Sequence, residues 1–248
     1  FNATFGPLML PLLLVVPFGS QLAWKRGDLV AASQRLYWAM GLSLVAIAAT
    51  YAVVQRGPWL APFGIGLGIW LIAGALTDIA GRAKFGTASA GDVARRFFGL
   101  PRSAHGTWLA HLGVGLMVIG IVATSAWREE SVLAMKPGDT AEIAGYQLTF
   151  KGVQEQPGPN YEERAGIFEV RQGGNLETIL NPAKRTFPAE RQSTTEAGIL
   201  ATFAGDLYCV LGDEIDGGGY SVRLYFNPFV RFIWIGALVM FFAGAMSL

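Results

Sequence analysis

The sequence predicts a polytopic α-helical membrane protein with a small all-β domain inserted between its last two spans. Four segments, Tyr37–Gln55, Pro58–Ile79, Thr107–Trp127 and Pro228–Leu248, reach the about 20 apolar residues that a helix needs to cross a bilayer. Charge is segregated along the chain: 15 of the 18 carboxylates lie between Glu129 and Asp216, and only Asp28, Asp78 and Asp92 fall elsewhere. Within that acidic stretch apolar and polar residues alternate at period two, the spacing of a half-buried strand. A chain that is 52% hydrophobic and 15% charged, with a mean hydropathy of +0.39, agrees with the membrane reading.

The first apolar segment, Gly6–Gly19 within a span at about 6–24, is shorter than the others. Its Pro7, Pro11 and Pro17 predict a kinked helix, or one lacking its first turn, with neighbouring helices satisfying the freed carbonyls. The chain opens without a methionine or a charged leader, so it reads as a piece of a longer polypeptide or as a split subunit. Helices at 37–55, 58–79 and 107–127 follow and complete a membrane domain over residues 1–127. The connection 20–36 carries Lys25, Arg26 and Arg35, and the connection 80–106 carries Arg82, Lys84, Arg95, Arg96 and Arg102. Between the second and third spans stands Arg56 alone. Basic connections stay cytoplasmic, which places residue 1 and the segment 128–224 outside and the C-terminus inside. Trp24, Trp38, Trp59, Trp108 and Trp127 fall at span ends, where an indole buries its ring and keeps its N–H wet.

Residues 128–224 form the β domain, and 225–248 hold the last helix. "GYQLTFKGV" and "YSVRLYF" alternate at period two, "IFEVRQGGNLETI" places a Gly-Gly turn between two short runs, and "KPGD" and "QPGPN" mark further turns. That length closes a modest core as a barrel or a sandwich. The single cysteine, Cys209, excludes an internal disulfide and a CxxC site, and reads as a small buried hydrophobe. The net charge of +1 has no basic stripe behind it, which excludes a nucleic-acid partner.

Among residues able to carry chemistry, His111 stands out in "TWLAHLGVGLMVIG". It lies four residues past the start of its span, about 6 Å along the axis, so it is expected inside the hydrocarbon near the cytoplasmic face. An ionisable group at that depth needs a partner. A neutral imidazole ligates haem iron; an interhelical hydrogen bond is the competing account. Gly113, Gly115 and Gly120 allow another helix or a flat macrocycle to approach closely. His105 cannot be the second axial ligand: six residues on one helix separate the two by about 240°, and it reads as a solvated or headgroup residue near Arg102. Arg231 in "NPFVRFIW" either snorkels to the headgroups or holds a propionate or a quinol headgroup against Phe229, Phe232 and Trp234. The turn-rich stretches "GPNY", with Asn160 and Tyr161, and "NPAKRTF", with Lys184 and Arg185, read as exposed loops that either are plain solvated surface or dock an acidic partner. The outer domain contains no histidine, so no acid–base or metal constellation of a hydrolase can be assembled there.

Taken in order, "FNATFGPLMLPLLLVVPFG", "LAHLGVGLMVIGI", "MKPGD", "GPNY", "AKRTF", "DLY…LGDE" and "VRLYFNPFVRFIWIGALVM" resemble the C-terminal part of the CcmF family, the haem lyase subunits of bacterial cytochrome c maturation. The resemblance spans essentially the whole chain. It implies a multi-pass protein of the bacterial inner membrane with its β domain in the periplasm. It further implies a haem b whose electrons come from quinol and keep iron ferrous while haem is joined to the CXXCH motif of apocytochrome c. The implied partners are the haem chaperone CcmE, CcmH and CcmI, apocytochrome c, quinol, and the N-terminal part of the same protein. The histidine of "AHLG", here His111, is then one axial ligand of haem b. The tryptophan-rich segment that presents haem for attachment, its flanking external histidines and the opposing haem ligand are not in this chain. The chain alone is therefore expected to be catalytically silent. Cys209 stands where the family pattern has an aliphatic residue.

Two other functional classes compete. In one, the helices merely anchor a periplasmic docking module for maturation partners, without a haem ligand of its own. In the other, broken spans such as Pro7–Pro17 belong to a solute transporter, but the spans carry almost no carboxylates to couple ions and show no inverted repeat.

Overall fold

A computed structural model describes residues 2–22 and 27–248; Trp24, Lys25 and Arg26 lie outside the described residues. The chain divides into two units, one holding the helices and one, Trp127–Phe229, holding the strands.

In the helical unit α1 (Asn2–Gln21) runs as one helix with Pro7, Pro11 and Pro17 inside it. Its packing explains how. Pro17 is fully buried, and a Cβ built on Gly74 of α4 (Ala61–Ala83) would stand 2.5 Å from the Pro17 Cβ, so only glycine lets the ring in. The Leu14 carbonyl, next to the Leu13 carbonyl that Pro17 leaves without its amide, accepts a 3.0 Å hydrogen bond from the Trp70 indole of α4. The connection that follows is itself partly helical. Asp28 caps α2 (Leu29–Arg35) by accepting from the Val30 and Ala31 amides, and α2 meets α3 (Tyr37–Val53) at a 53° bend around the buried Leu36. The Ser43 hydroxyl of α3 donates to the Gly66 carbonyl of α4 at 2.7 Å.

α4 ends where Lys84 takes a left-handed φ of 56°. Next come the short α5 (Ala90–Phe98), capped by Ser89, and α6 (Arg102–Trp127). The last helix is α7 (Val230–Ser247). Among the described residues four helices, α1, α4, α6 and α7, are long and apolar enough to cross a membrane, and the bent pair α2–α3 makes a fifth candidate.

The ten strands lie between α6 and α7 in the chain. β1 (Glu129–Met135), β10 (Gly219–Pro228), β9 (Gly205–Ile215) and β8 (Gly198–Ala201) form one antiparallel sheet in that order. β2 (Thr140–Ile143), β3 (Tyr146–Pro157), β4 (Glu162–Gln172), β6 (Ala183–Phe187) and β7 (Gln192–Glu196) form the other, with β5 (Asn175–Leu180) also paired to β4. Alternate residues of both sheets meet in one core, with Tyr146, Leu148, Phe150, Phe168 and Val170 on one side and Leu207, Cys209, Leu211, Val222 and Leu224 on the other. The outcome is a sandwich. Its turns follow from composition: Gly173 and Gly174 both take positive φ between β4 and β5, and in Lys136–Asp139 the pair Pro137-Gly138 makes a turn closed by the Asp139 amide on the Lys136 carbonyl.

Three expectations need correction. "AKRTF" is not an exposed loop but strand β6, because its backbone completes the sheet between β4 and β7. The pairing Pro228↔Gly205 carries β10 to Pro228, so the residues from 225 to 228 are strand and not helix, and Phe229 turns the chain with a φ of 51° before α7 starts. And α6 begins at Arg102, which sets His111 about 13 Å along the helix, toward its middle, rather than about 6 Å.

Candidate functional site

The site is best built around α6. A Cβ on Gly115 would lie 2.6 Å from Ile72 Cγ1 and 2.8 Å from the Gly68 carbonyl, so this face of α6 is filled by α4. Gly115 is thus occupied by helix packing. Two residues earlier, a Cβ on Gly113 would lie 2.7 Å from the Gly236 carbonyl, and one on Gly236 would lie 2.4 Å from the Gly113 carbonyl. There α7 touches α6 backbone to backbone. Ile119 and Val122 continue the α4 face, meeting Gly68 and Gly64; Gly106 and Met117 continue the α7 face, meeting Ser247 and Gly236.

The position of His111 follows from the helical repeat. At about 100° per residue, the residues that meet α4 fall about 20–80° from His111, and those that meet α7 fall about 200–240° from it. His111 therefore sits at the edge of the α4 face. Beyond it opens an arc carrying Thr107, Val114, Val118 and Ile121, with Thr107 and Ile121 exposed. The imidazole is half-buried, and among the described residues no group hydrogen-bonds to it. Among the described residues, then, no interhelical hydrogen bond accounts for it. The charge in reach is Asp78 of α4, a carboxylate only 5% exposed, which acts on His111 electrostatically. Both Asp78 oxygens accept from Arg82 Nε at 3.0 Å. The sequence reasoning missed this pair of a buried carboxylate and an exposed guanidinium, although its i,i+4 spacing was a readable signal.

His105 is different. Its Nε2 lies 3.0 Å from the Phe97 carbonyl, its Nδ1 accepts from the Trp108 indole at 3.3 Å, and its ring stands edge-on to Phe97. Both nitrogens are engaged, so it is a half-buried structural group and not a solvated one. Arg231 is the second residue of α7, half-buried and with an interaction of its own. Trp234, three residues on and 69% exposed, shares its face, while Phe232 stands about 100° away around the helix.

In the β-sandwich, Tyr161 and Arg185 come together and Lys184 stands apart. The Arg185 guanidinium lies 4.8 Å above the Tyr161 ring, and Phe187 flanks that ring at 5.6 Å. Arg185 Nε also donates to Glu163 on β4 at 2.6 Å, and Gln156 donates to the other Glu163 oxygen at 2.7 Å. Lys184, next along β6, points the other way and pairs with Asp213 of β9 in the opposite sheet. Both cations are thus matched inside the domain. Asn160 is exposed in the turn before β4, where Gly158 is required because a Cβ would stand 2.3 Å from the Tyr161 ring. Burial pushes the Cys209 thiol pKa upward, which leaves no thiolate to act as a nucleophile.

Arg185 first, and Gln156 second, hold the Glu163 carboxyl below the usual glutamate range. Its folded pKa is depressed, so the stabilisation is complete above the unfolded pKa and is lost as pH falls through the folded one. Thermal melts over about pH 3 to 6 are expected to show the sandwich losing stability on the acid side, with Glu163→Gln flattening that limb. Parallel loss in parent and variant would remove the assignment.

Comparison with known proteins places this geometry. Residues 126–228 match the family model described as the CcmF C-terminal beta-sandwich. All 248 residues align with the cytochrome c-type biogenesis protein CycK of Rhizobium meliloti at 52% identity, covering 37% of that protein. They align with the proteins named CcmF of Pseudomonas aeruginosa at 34% and of Escherichia coli at 31%, again covering 37% of each. A solved structure titled Cytochrome c Heme Lyase CcmF superposes with a TM-score of 0.75 over the whole chain and 40% of its own length, at 21% identity, which establishes a shared fold. The chain therefore spans a little over a third of the relatives it matches.

Proposed function

Because the chain belongs to the CcmF family of cytochrome c biogenesis proteins, as its C-terminal part, we propose that it forms the haem b-bearing portion of a cytochrome c haem lyase. The observation that carries this is His111: a half-buried imidazole on an apolar helix, without a hydrogen-bond donor or acceptor among the described residues, at the edge of an arc whose Thr107 and Ile121 are exposed. A neutral ring in that setting is a lone pair waiting for a metal, and burial is tolerable when iron takes it. His111 would be one axial ligand, and the opposing one would come from the remainder of the longer protein. When bound, haem b supplies a one-electron redox centre.

The rest of the chain holds that ligand in place. Gly113 and Gly115 let α7 and α4 clamp α6 from two sides and so fix the direction of the imidazole. Asp78, itself neutralised by Arg82, sets the local field.

The basic connections carrying Arg35, Arg82, Lys84, Arg95, Arg96 and Arg102 assign their side of the molecule to the cytoplasm and the β-sandwich to the periplasm of the bacterial inner membrane. There the sandwich would face CcmE, CcmH, CcmI and apocytochrome c, while quinol supplies electrons. Joining haem to CXXCH adds each cysteine S–H across a vinyl group. The sulfurs are those of the CXXCH cysteines themselves, and the task of presenting haem to them is assigned to the N-terminal part. Asn160, exposed in its turn, is the better docking candidate, since Lys184 and Arg185 are already paired and the Tyr161 ring is held by Arg185 and Phe187. The test is the pigment of the purified complete polypeptide. Oxidised and reduced spectra are expected to show a six-coordinate b-type haem retained without added cytochrome, and a colourless protein competent in maturation would overturn the reading.

A further inference from the structure

The connection between α4 and α6 carries a feature that haem chemistry does not use. α5 is nine residues long, about 13 Å, too short to cross a bilayer. It is sharply two-faced: Ala90, Val93, Ala94, Phe97 and Phe98 share one arc of about 140°, with Gly91, Asp92, Arg95 and Arg96 opposite. Its apolar face does not close on α4. Between them lies a groove of about 720 Å³, lined by Leu76, Ile79 and Ala83 of α4 and Val93, Ala94 and Phe97 of α5. Phe85 and Phe98 are 75% and 81% exposed, which water disfavours and hydrocarbon does not.

The connection that carries the groove is cationic. Arg82 and Arg95 are held by Asp78 and Asp92. Lys84, Arg96 and Arg102 are exposed and have no ion-pair partner among the described residues. Lys84 follows the lining residue Ala83, Arg96 precedes the lining residue Phe97, and Arg102 opens α6. An apolar slot beneath an amphipathic helix, in a connection whose unmatched cations neighbour the lining residues in sequence and are long enough to snorkel toward a headgroup, fits an acyl chain carrying a negative headgroup.

We propose that the α4–α5 groove holds an acyl chain of an anionic diacyl phospholipid whose phosphate is met by Lys84, Arg96 and Arg102. The site anchors the connection at the membrane surface. It rests on the reading that α4 and α6 cross a membrane, but not on the haem.

The complete polypeptide carrying a photoactivatable benzoyl-phenylalanine at Val93 is reconstituted into phosphatidylcholine vesicles with and without phosphatidylglycerol. Retention in the bilayer after alkaline carbonate extraction checks the membrane reading separately. On illumination Val93 is expected to label phosphatidylglycerol in preference to phosphatidylcholine by at least about ten-fold, mole for mole. Lys84→Asn, which tolerates the positive φ, combined with Arg96→Gln and Arg102→Gln, is expected to erase the preference. Equal labelling of the two lipids, a cross-link to another protein segment instead of lipid, or no adduct from a bilayer-retained protein would each overturn the proposal. These outcomes are read on the unaltered rim, so they stand even if the triple variant fails to fold.

Discussion

Replacing His111 by alanine in the complete polypeptide is expected to abolish the low-spin bis-imidazole spectrum and to lower stoichiometric haem retention to background. The reasoning is one of valence. A six-coordinate b-type haem needs two strong-field nitrogens, and the chain contains two histidines. One of them, His105, has both nitrogens engaged, by the Phe97 carbonyl and the Trp108 indole. His105→Ala is therefore expected to leave band positions unchanged, apart from any loss of folded protein. His111 has no such engagement among the described residues. Because truncating the ring leaves a space of its own shape on an otherwise unaltered helix, added imidazole is expected to restore a low-spin spectrum in His111→Ala. A variant that had merely misfolded would not respond. A full-strength parental spectrum in His111→Ala would end the ligand assignment and favour the reading in which the helices only anchor a docking module.

How much of this was legible beforehand depended on how local each signal is. Spans announce themselves through length and apolarity within one window, so α4, α6 and α7 could be read directly. The sandwich hairpins were legible for the same reason, since Gly173-Gly174 and Pro137-Gly138 specify their turns within four residues. The short helices α2 and α5 were not, because a span-length window averages a few apolar residues with Arg35, Arg95 and Arg96 and returns a basic loop. β6 was hidden by its neighbours: Asn181-Pro182 looks like a turn, while β4, one of the two strands whose backbone pairing makes Ala183–Phe187 a strand, lies well back in the chain, with Glu163 opposite Arg185 at a separation of 22 residues. The same distance dependence separated Lys184 and Arg185. Adjacent in sequence they suggested one basic patch, yet a strand sends them to opposite faces and each meets a different carboxylate. The presence of a group at His111 was visible from polarity alone, but its place at the edge of the α4 face required knowing which glycines the neighbouring helices fill.

Gly113→Leu is expected to be about as damaging to the site as loss of the ligand itself. Ordinary overpacking of a core costs about 1–3 kcal/mol because flexible side chains give way. Here the obstructing atoms are backbone: the Gly236 carbonyl stands 2.7 Å from a Cβ on Gly113, and the Gly113 carbonyl 2.4 Å from one on Gly236. Neither can rotate aside. α6 cannot retreat in the other direction either, since Gly115 is already against Ile72 and the Gly68 carbonyl. The helix is held between α7 and α4, so a side chain at Gly113 must separate α6 from α7, or turn α6 and swing His111 off its direction. Close glycine contacts contribute through packing and Cα–H···O approach, and in lipid no hydrophobic term compensates their loss. The expected order of haem-to-protein ratio is parent, then Gly113→Ala, then Gly113→Leu near background. Gly244→Leu serves as the control, because nothing lies within 4 Å of a Cβ there. Added imidazole is expected to fail for Gly113→Leu where it succeeds for His111→Ala, since the ring is present but misdirected. If Gly113→Leu retains a parental haem ratio, α6 is not held by its two neighbours, and the account of how this chain aims its imidazole is wrong.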